Sequence, residues 1–386
     1  MRREVGGTGL GPVTPSLSIR GSARVSSLLF AQTAWLSGIR PATERLSERD
    51  RTLILAILAS ITVPEAWTPG PPASTRVSMA PGYGPTMEIH SVLDDLGLTG
   101  AGYAASVTGG PGVGFNAEDP VSPASVMKIQ VALAVERAIA SGSLDGSATR
   151  VLSPERRTPG PVGVSLMRDE VRMSVRDLVV AMLTISDNVA TDELIDLVGL
   201  DRINSLTREL GLEQTLITST LRDALDEVAD EAGFATYAAL VAHEPDTMGP
   251  PSAHDIRTRL HSSAALDPTR GTRTTAAETV GLLQAIWTNQ AAPAEACASI
   301  RRLMEQQLTR QRIASAFAPP VSVAAKSGGL LGVARNEAAV VTFPDGAALA
   351  VAVFTRSQPS LRLEPAVIDT TIGAIARDLI GRLHDL

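Results

Sequence analysis

The chain has 386 residues, 44% of them hydrophobic and 19% charged, which is enough to bury a sizeable core in one compound domain or two closely packed ones. A net charge of -7 without a basic stripe argues against general nucleic-acid binding, which needs cations to displace phosphate counterions. The single cysteine, Cys297, excludes an intrachain disulfide, has no zinc-spaced partner, and reads as a buried structural residue.

Residues 1–86 scatter Gly, Pro, Ser and Arg without a sustained apolar period, the composition of a disordered extension. The apolar run at 53–63 faintly resembles the hydrophobic part of an export signal. It lies far from Met1 and is too short to span a bilayer. No membrane insertion is expected, and a cytoplasmic location is favoured over a secreted one. Organised sequence begins at Glu88, so Met79 or Met87 is an alternative start.

Residues 87–386 read as one catalytic-type domain, with a sheet part at 87–120 and 270–386 and a helical part at 121–269. A short amphipathic helix at 87–96 precedes strands at 102–107 and 112–116. Gly109, Gly110 and Pro111 join them as a hairpin turn; no Gly-Lys-Ser/Thr follows to make a phosphate loop. Ser122 reads as the N-cap and Pro123 as the first position of a helix reaching residue 140, which puts Ser125 in the first turn. A helix opening at Ser174, with Asp177 as capping partner, leads to Ser186-Asp187-Asn188. Helices at 191–198 and 201–210 are stopped by Gly199 and Gly211.

The stretch 221–263 reads as helical in its first half and as a proline-rich insertion or loop in its second. Its His243, Glu244, Asp246, His254 and Asp255 lack metal-site spacing and read as solvated loop. Helices resume near Ala276 and Ala294, strands follow at 321–325, 338–343 and 347–354, and a helix at 366–383 closes the chain. Strands at both ends with helices between them imply an α/β (α+β) architecture, one sheet built from both chain ends around an inserted all-helical domain.

The basic residues single out two positions. Of 34 Lys and Arg residues only Lys128 and Lys326 are lysine. Arginine serves where a permanent charge suffices but cannot release its proton, so these two positions read as places that need an amine. Ser125 and Lys128, three residues apart on a helix, lie side by side, and a neutral lysine is a competent base. Lys326 is the candidate neighbour that, with burial, lowers the Lys128 pKa.

The motifs fall in a telling order: Ser125-Val126-Met127-Lys128, then Ser186-Asp187-Asn188, then Lys326-Ser327-Gly328-Gly329 with Arg335-Asn336 downstream. This series resembles the class A β-lactamase and penicillin-binding-protein family of serine hydrolases, and the resemblance covers roughly residues 87–386. It implies the β-lactamase/transpeptidase-like fold and an acylated nucleophile at Ser125 with Lys128 as base or proton relay. By the same resemblance Ser186 passes a proton to the leaving nitrogen, and Asn188 holds the substrate amide and steadies Lys128. Lys326 supplies positive potential, Ser327 bonds the substrate carboxylate beside Gly328, Arg335 also grips that carboxylate, and the Gly329 and Ser125 N–H groups form the oxyanion hole.

One departure bears on mechanism. The family's Glu-x-x-Leu-Asn segment, whose glutamate activates the deacylating water, is missing; the nearest counterpart is Ser263-Ala264-Ala265-Leu266-Asp267. Asp267, Glu227, Glu231 and Glu244 are the candidate substitutes. No Gly-x-Ser-x-Gly elbow supports a Ser-His-Asp hydrolase instead. The expectation is a monomer acting on a small-molecule acyl compound, a β-lactam or a related amide or ester, without metal or organic cofactor. The alternatives are a receptor that stays acylated, or an esterase, transacylase or peptidase with another substrate.

Overall fold

α1 (Ile89–Asp95) buries Ile89 and Leu93, four residues apart on one face, against the strand that follows. That strand, β1 (Leu98–Ser106), turns through Gly109 and Gly110, both at positive φ, into β2 (Val113–Phe115). β1 then pairs along its whole length with β7 (Ala348–Ser357), from Leu98 opposite Ser357 to Ser106 opposite Leu349, so the two ends of the domain meet. β6 (Ala334–Thr342) and β5 (Ser322–Leu330) extend the antiparallel sheet in the order β2-β1-β7-β6-β5. The computed structural model describes residues 87–244, 248–360 and 363–384. The extension 1–86, with its apolar run and Met79, and Asp246 lie outside the described residues.

Both faces of the sheet are covered, which is why β7 reads as a nearly unbroken apolar run rather than an alternating one. Gly100 and Gly102 face α1 and α11 (Pro365–His384): a Cβ on Gly100 would lie 3.6 Å from Leu93 Cδ1, and one on Gly102 3.3 Å from Leu379 Cδ1. Ala101 and Ala105, of opposite parity, point into the main core, where α9 (Ala276–Trp287) and α10 (Ala294–Glu305) pack on the strands. Cys297 on α10 is fully buried there, as its isolation in the sequence implies.

α2 (Lys128–Ala140) runs through the middle of the helical part. Every residue from Lys128 to Val135 is buried, so the first two turns of the helix are enclosed on all sides. α3 (Val175–Thr184), α4 (Asn188–Val198) and α5 (Leu200–Glu209) pack around it. Ser174 caps α3 by accepting from the Asp177 N–H, as the sequence predicts, and Gly199 and Gly211 sit at positive φ behind α4 and α5.

Three local expectations need correction. The helical part is not all helix: β3 (Thr149–Leu152) and β4 (Val171–Ser174) form a two-stranded antiparallel sheet, four residues a strand and too short to leave a clear period. Ser122 does not cap α2. Its carbonyl accepts from Asn336 Nδ2 instead, and a 3₁₀ turn, Ala124–Met127, precedes the α-helix proper. The second half of 221–263 is not a loop throughout. After α6 (Leu221–Glu231) and α7 (Tyr237–Ala242) comes α8 (Ala253–Ser262), started by a reciprocal Ser252–Asp255 capping box directly behind Pro250-Pro251.

This insertion leaves and rejoins the body at one point, where the Leu216 and Arg273 backbones exchange hydrogen bonds of 3.0 and 2.9 Å. It carries its own small core of Val228, Ala229, Leu240, Leu260 and Leu266, which packs on Val333 at the β5–β6 turn. Among the described residues no helix is long and apolar enough to cross a membrane.

Candidate active site

Ser125, Ser186, Asn188, Ser327, Gly328 and Gly329 all line one cleft of about 580 Å³. Three elements converge to make it: the 3₁₀ turn before α2, the turn between α3 and α4, and β5. Gly328 allows the closest approach. A Cβ there would stand 2.6 Å from the Pro123 carbonyl and 3.1 Å from the Ser125 nitrogen, so only glycine lets β5 lie against the turn that carries Ser125. Ser125 lies on that turn, ahead of α2, where backbone N–H groups precede the first bonds of the helix. Ala124, at φ +48, bends the chain into it.

The two lysines meet at Ser186. Lys128 Nζ lies 2.7 Å from the Ser186 carbonyl, 2.9 Å from Asn188 Oδ1 and 3.2 Å from Ser186 Oγ. Lys326 Nζ donates to the same Ser186 Oγ at 3.0 Å and to the Ser327 carbonyl at 2.8 Å. Ser186 itself adopts φ +64, an uncommon conformation for serine that turns its carbonyl and its hydroxyl toward the lysines together. The Lys128 amine is thus held by the second motif; Ser125 Oγ makes no hydrogen bond among the described residues and stays open to the cleft.

Both amines are completely buried. Burial is the main influence on Lys128 and pushes its pKa down to about 7, against the opposing pull of the Asp187 and Asp192 carboxylates. Lys326 is driven well below the ordinary lysine value by burial first and by the charge of Lys128 second, while Glu337 draws it back up. The neighbour effect anticipated on Lys128 therefore falls on Lys326. Protonated Lys128 donates to the Ser186 carbonyl, Asn188 Oδ1 and Ser186 Oγ; as a neutral amine it keeps two of these N–H bonds and has a lone pair that can take a proton. Ser186 Oγ remains an acceptor for Lys326. That arrangement can move a proton along Lys128, Ser186 and Lys326 without moving any heavy atom.

Buried polar residues fix these positions. Asp187, with no exposed surface, caps α4 by accepting from the Ala190 N–H at 2.9 Å and also accepts from the Val164 N–H, binding the loop around Gly163 to the Ser186 turn. Asn188 Nδ2 donates to the Pro159 carbonyl at 2.8 Å, which orients its Oδ1 at Lys128. On the sheet side Gln307 accepts from the Ser327 N–H and donates to Glu337, whose other oxygen accepts from the Ile313 N–H. Burial raises the Glu337 pKa, and the charge of Arg312 is the largest opposing influence.

Arg335 is placed differently from its sequence neighbours. Its guanidinium forms two bonds with Asp369, at 2.6 and 2.7 Å, and it is not among the cleft-lining residues. Arg312 lines the cleft instead. It donates from Nε to Asp369 at 2.7 Å and from Nη1 to the Gly328 and Asn336 carbonyls, which leaves Nη2 beside Gly329 without a protein partner among the described residues. Sequence reasoning missed Arg312, because Arg310-Gln311-Arg312 looks like an exposed polar loop. Glu337 left a signal that could have been used: it is a lone charge beside the apolar run Ala338 to Val341.

Of the four candidate substitute acids, only Glu227 lines the cleft. Asp267 is bound by Thr269 and Arg270, with the Thr269 hydrogen bond first among the influences holding its carboxyl below the usual range. Glu231 accepts from the Ala264 N–H at 3.1 and 3.0 Å. Of the stretch 263–267, Ala264 and Ala265 reach the cleft wall and Ser263 is buried. In the former metal candidates, His243 contacts the Pro251 carbonyl and Asp255 caps α8.

This fold, with a serine, two buried lysines and the Ser186-Asp187-Asn188 turn around one cleft, is that of the β-lactamase-type serine hydrolases. Residues 85–383 match the β-lactamase enzyme family, and the chain belongs to that family. It is 31% identical over 313 residues to the β-lactamase regulatory protein BlaB of Streptomyces cacaoi, an alignment covering 77% of this chain and 97% of that protein. Among solved structures, a β-lactamase from Sphaerobacter thermophilus shares the fold at 24% identity and a TM-score of 0.60, covering 77% of this chain and 96% of its own. A mutant of PBP-A, solved as an acyl-enzyme complex with penicillin G, matches at 17% identity, a TM-score of 0.60, and coverage of 78% and 96%.

Proposed function

We propose that the protein is an active-site-serine enzyme in which Ser125 is acylated by a β-lactam or a related amide or ester, and that the acyl-serine is then hydrolysed. The observation that carries this reading is the position of Ser186 Oγ, 3.2 Å from Lys128 Nζ and 3.0 Å from Lys326 Nζ, in the cleft that Ser125 faces. Neutral Lys128 takes the Ser125 proton, the Ser125 oxygen attacks the carbonyl, and the oxyanion is stabilised by the Ser125 and Gly329 N–H groups. Ser186 then hands a proton to the departing nitrogen and is replenished through the lysines. Asn188 holds Lys128 and the substrate amide. Ser327 and Arg312 take the substrate carboxylate, with Lys326 adding positive potential and Arg335 acting through Asp369. No step needs a metal or an organic cofactor, and a monomer is sufficient.

A second reading is favoured by one observation: among the described residues lining the cleft the one carboxylate is Glu227, six residues along α6 from the end anchored beside the catalytic turn. Acylation would then be efficient and deacylation slow, as in a penicillin receptor or sensor, and the regulatory relative is consistent with that. Nitrocefin time courses separate the two. Sustained linear turnover supports the hydrolase; one equivalent of product followed by a stop supports the receptor. An absence of colour change with intact folded protein would refute both and leave an esterase, transacylase or peptidase with another acyl substrate. A cytoplasmic location is slightly favoured over a secreted one.

A further inference from the structure

The insertion supplies a wall of the cleft that the three motifs do not account for. α6 begins beside the catalytic turn, because the Leu221 and Arg222 N–H groups donate to the Asp192 carboxylate at 2.8 and 2.9 Å, and Asp192 stands one turn beyond Asn188 on α4. From this anchor α6 turns Leu221, Ala224 and Leu225 to the cleft and then Glu227. Six residues along a helix is roughly 9 Å, so Glu227 sits at the outer end of an apolar strip. Tyr237 of α7 lines the cleft as well.

Glu227 is the only acidic residue among those lining the cleft, and it has no hydrogen-bond or ion-pair partner among the described residues. The other charge on this wall, Arg270, is already matched by Asp267 at 3.1 Å. At the opposite end of the cleft Arg312 supplies a permanent positive charge beside Gly329. The cleft is therefore polarised, with a positive group where the reaction takes place and one unmatched carboxylate at the far end of an apolar strip. A base for deacylation must come within one water of the ester carbon, and the part of α6 nearest the catalytic turn offers Leu221 and Ala224 instead.

We infer that Leu221, Ala224, Leu225, Tyr237 and Glu227 form a subsite for the acyl side chain of the substrate, and that the substrates it fits carry an ammonium group at the end of that side chain as well as a carboxylate at the other end. This rests on Ser125 being the acylated nucleophile. The partner chemistry is an ampholyte, an aminoacyl amide or β-lactam whose apolar spacer crosses the strip and whose cation reaches Glu227.

The test uses two penicillanates, one with a straight hexanoyl side chain and one with the same chain ending in an amino group, and follows the acyl adduct on Ser125 by intact-mass spectrometry. The amino compound should acylate the wild-type protein on the order of three- to tenfold faster, the range of a solvent-accessible to partly desolvated ion pair. The preference, taken as the ratio of the two compounds' rates within each protein, should vanish in Glu227→Gln and reverse in Glu227→Lys. It should also shrink as salt rises. Adducts without a preference, or a preference that survives Glu227→Gln, would overturn the subsite alone. So would a Glu227→Gln protein that keeps the preference but sheds its adduct more slowly, the signature of a deacylation base. If neither compound forms an adduct, the acyl-serine reading fails and the subsite falls with it.

Discussion

Lys128 and Lys326, 198 positions apart in the sequence, aim their amines at one oxygen, Ser186 Oγ, at 3.2 and 3.0 Å. Burial lowers the Lys326 pKa first, and the charge that Lys128 carries when protonated lowers it further. The site is arranged to hold an amine that gives up a proton at ordinary pH.

The pH dependence follows from the sign of that shift. Lys128, with its pKa lowered to about 7, is protonated below that value and is a free base above it. Acylation of Ser125 should therefore rise with pH through a midpoint near 7 and level off above it. Stopped-flow acylation rates measured across that range check this. A rate that stays flat down to acid pH would mean that Lys128 is not the base.

Replacing the two lysines should have unequal consequences. Lys128→Arg removes the only amine that contacts both Ser186 and Asn188 and should lower the acylation rate at least about 10²–10⁴-fold, the span typical of general-base loss. Lys326→Arg keeps a charge at its position and should leave measurable acylation. Circular dichroism of both variants shows whether the larger guanidinium is accommodated.

Arg312 and Arg335 should separate just as clearly. Both bind Asp369, yet only Arg312 lines the cleft. Arg312→Ala should weaken recognition of a carboxylate substrate by about 10–100-fold, corresponding to roughly 1.5–3 kcal/mol for a charge-assisted bond, and should have little effect on the methyl ester. Arg335→Ala should change that ratio much less. Equal effects would put the carboxylate at Asp369's other partner.

Gly328→Ala introduces a methyl group 2.6 Å from the Pro123 carbonyl. The strand and the Ser125 turn must separate, costing about 1–3 kcal/mol of stability by overpacking. Acylation should fall more than stability does, because the displaced turn carries the nucleophile. Urea unfolding and acylation kinetics on one preparation give both numbers.

Asp187→Ala should act through structure. It orphans the Ala190 and Val164 N–H groups, for which a loss of about 2–4 kcal/mol is expected. Ser186 then loses the support that holds it at φ +64. A variant as stable as the wild type would show that the turn is fixed by something else.

Much of this was legible in the sequence where local chemistry decides the outcome. Ser174 with Asp177, Gly199, Gly211 and the Gly109-Gly110 turn mark boundaries that the structure keeps. Ser125, Ser186, Asn188, Ser327, Gly328 and Gly329, read from three motifs far apart in the chain, line one cleft, and Lys128 and Lys326 meet beneath it at Ser186. What was not legible depends on contacts across the fold. Ser122 looks like a cap until Asn336 claims its carbonyl. Arg335 looks like a cleft residue until Asp369, on the last helix, takes both arms of its guanidinium and leaves Arg312 facing the cleft. The insertion's α8 hid behind Pro250 and Pro251, which mark its start rather than an extended loop.

The central claim is that Ser125 is an acylated nucleophile, and peptide mapping after exposure to penicillin G tests it most directly. One equivalent of penicilloyl adduct on the peptide containing Ser125, observed by rapid acid quench and absent from Ser125→Ala, is the predicted result. A folded wild-type protein that forms no adduct even at the shortest quench times, or an adduct that persists in Ser125→Ala, would contradict it.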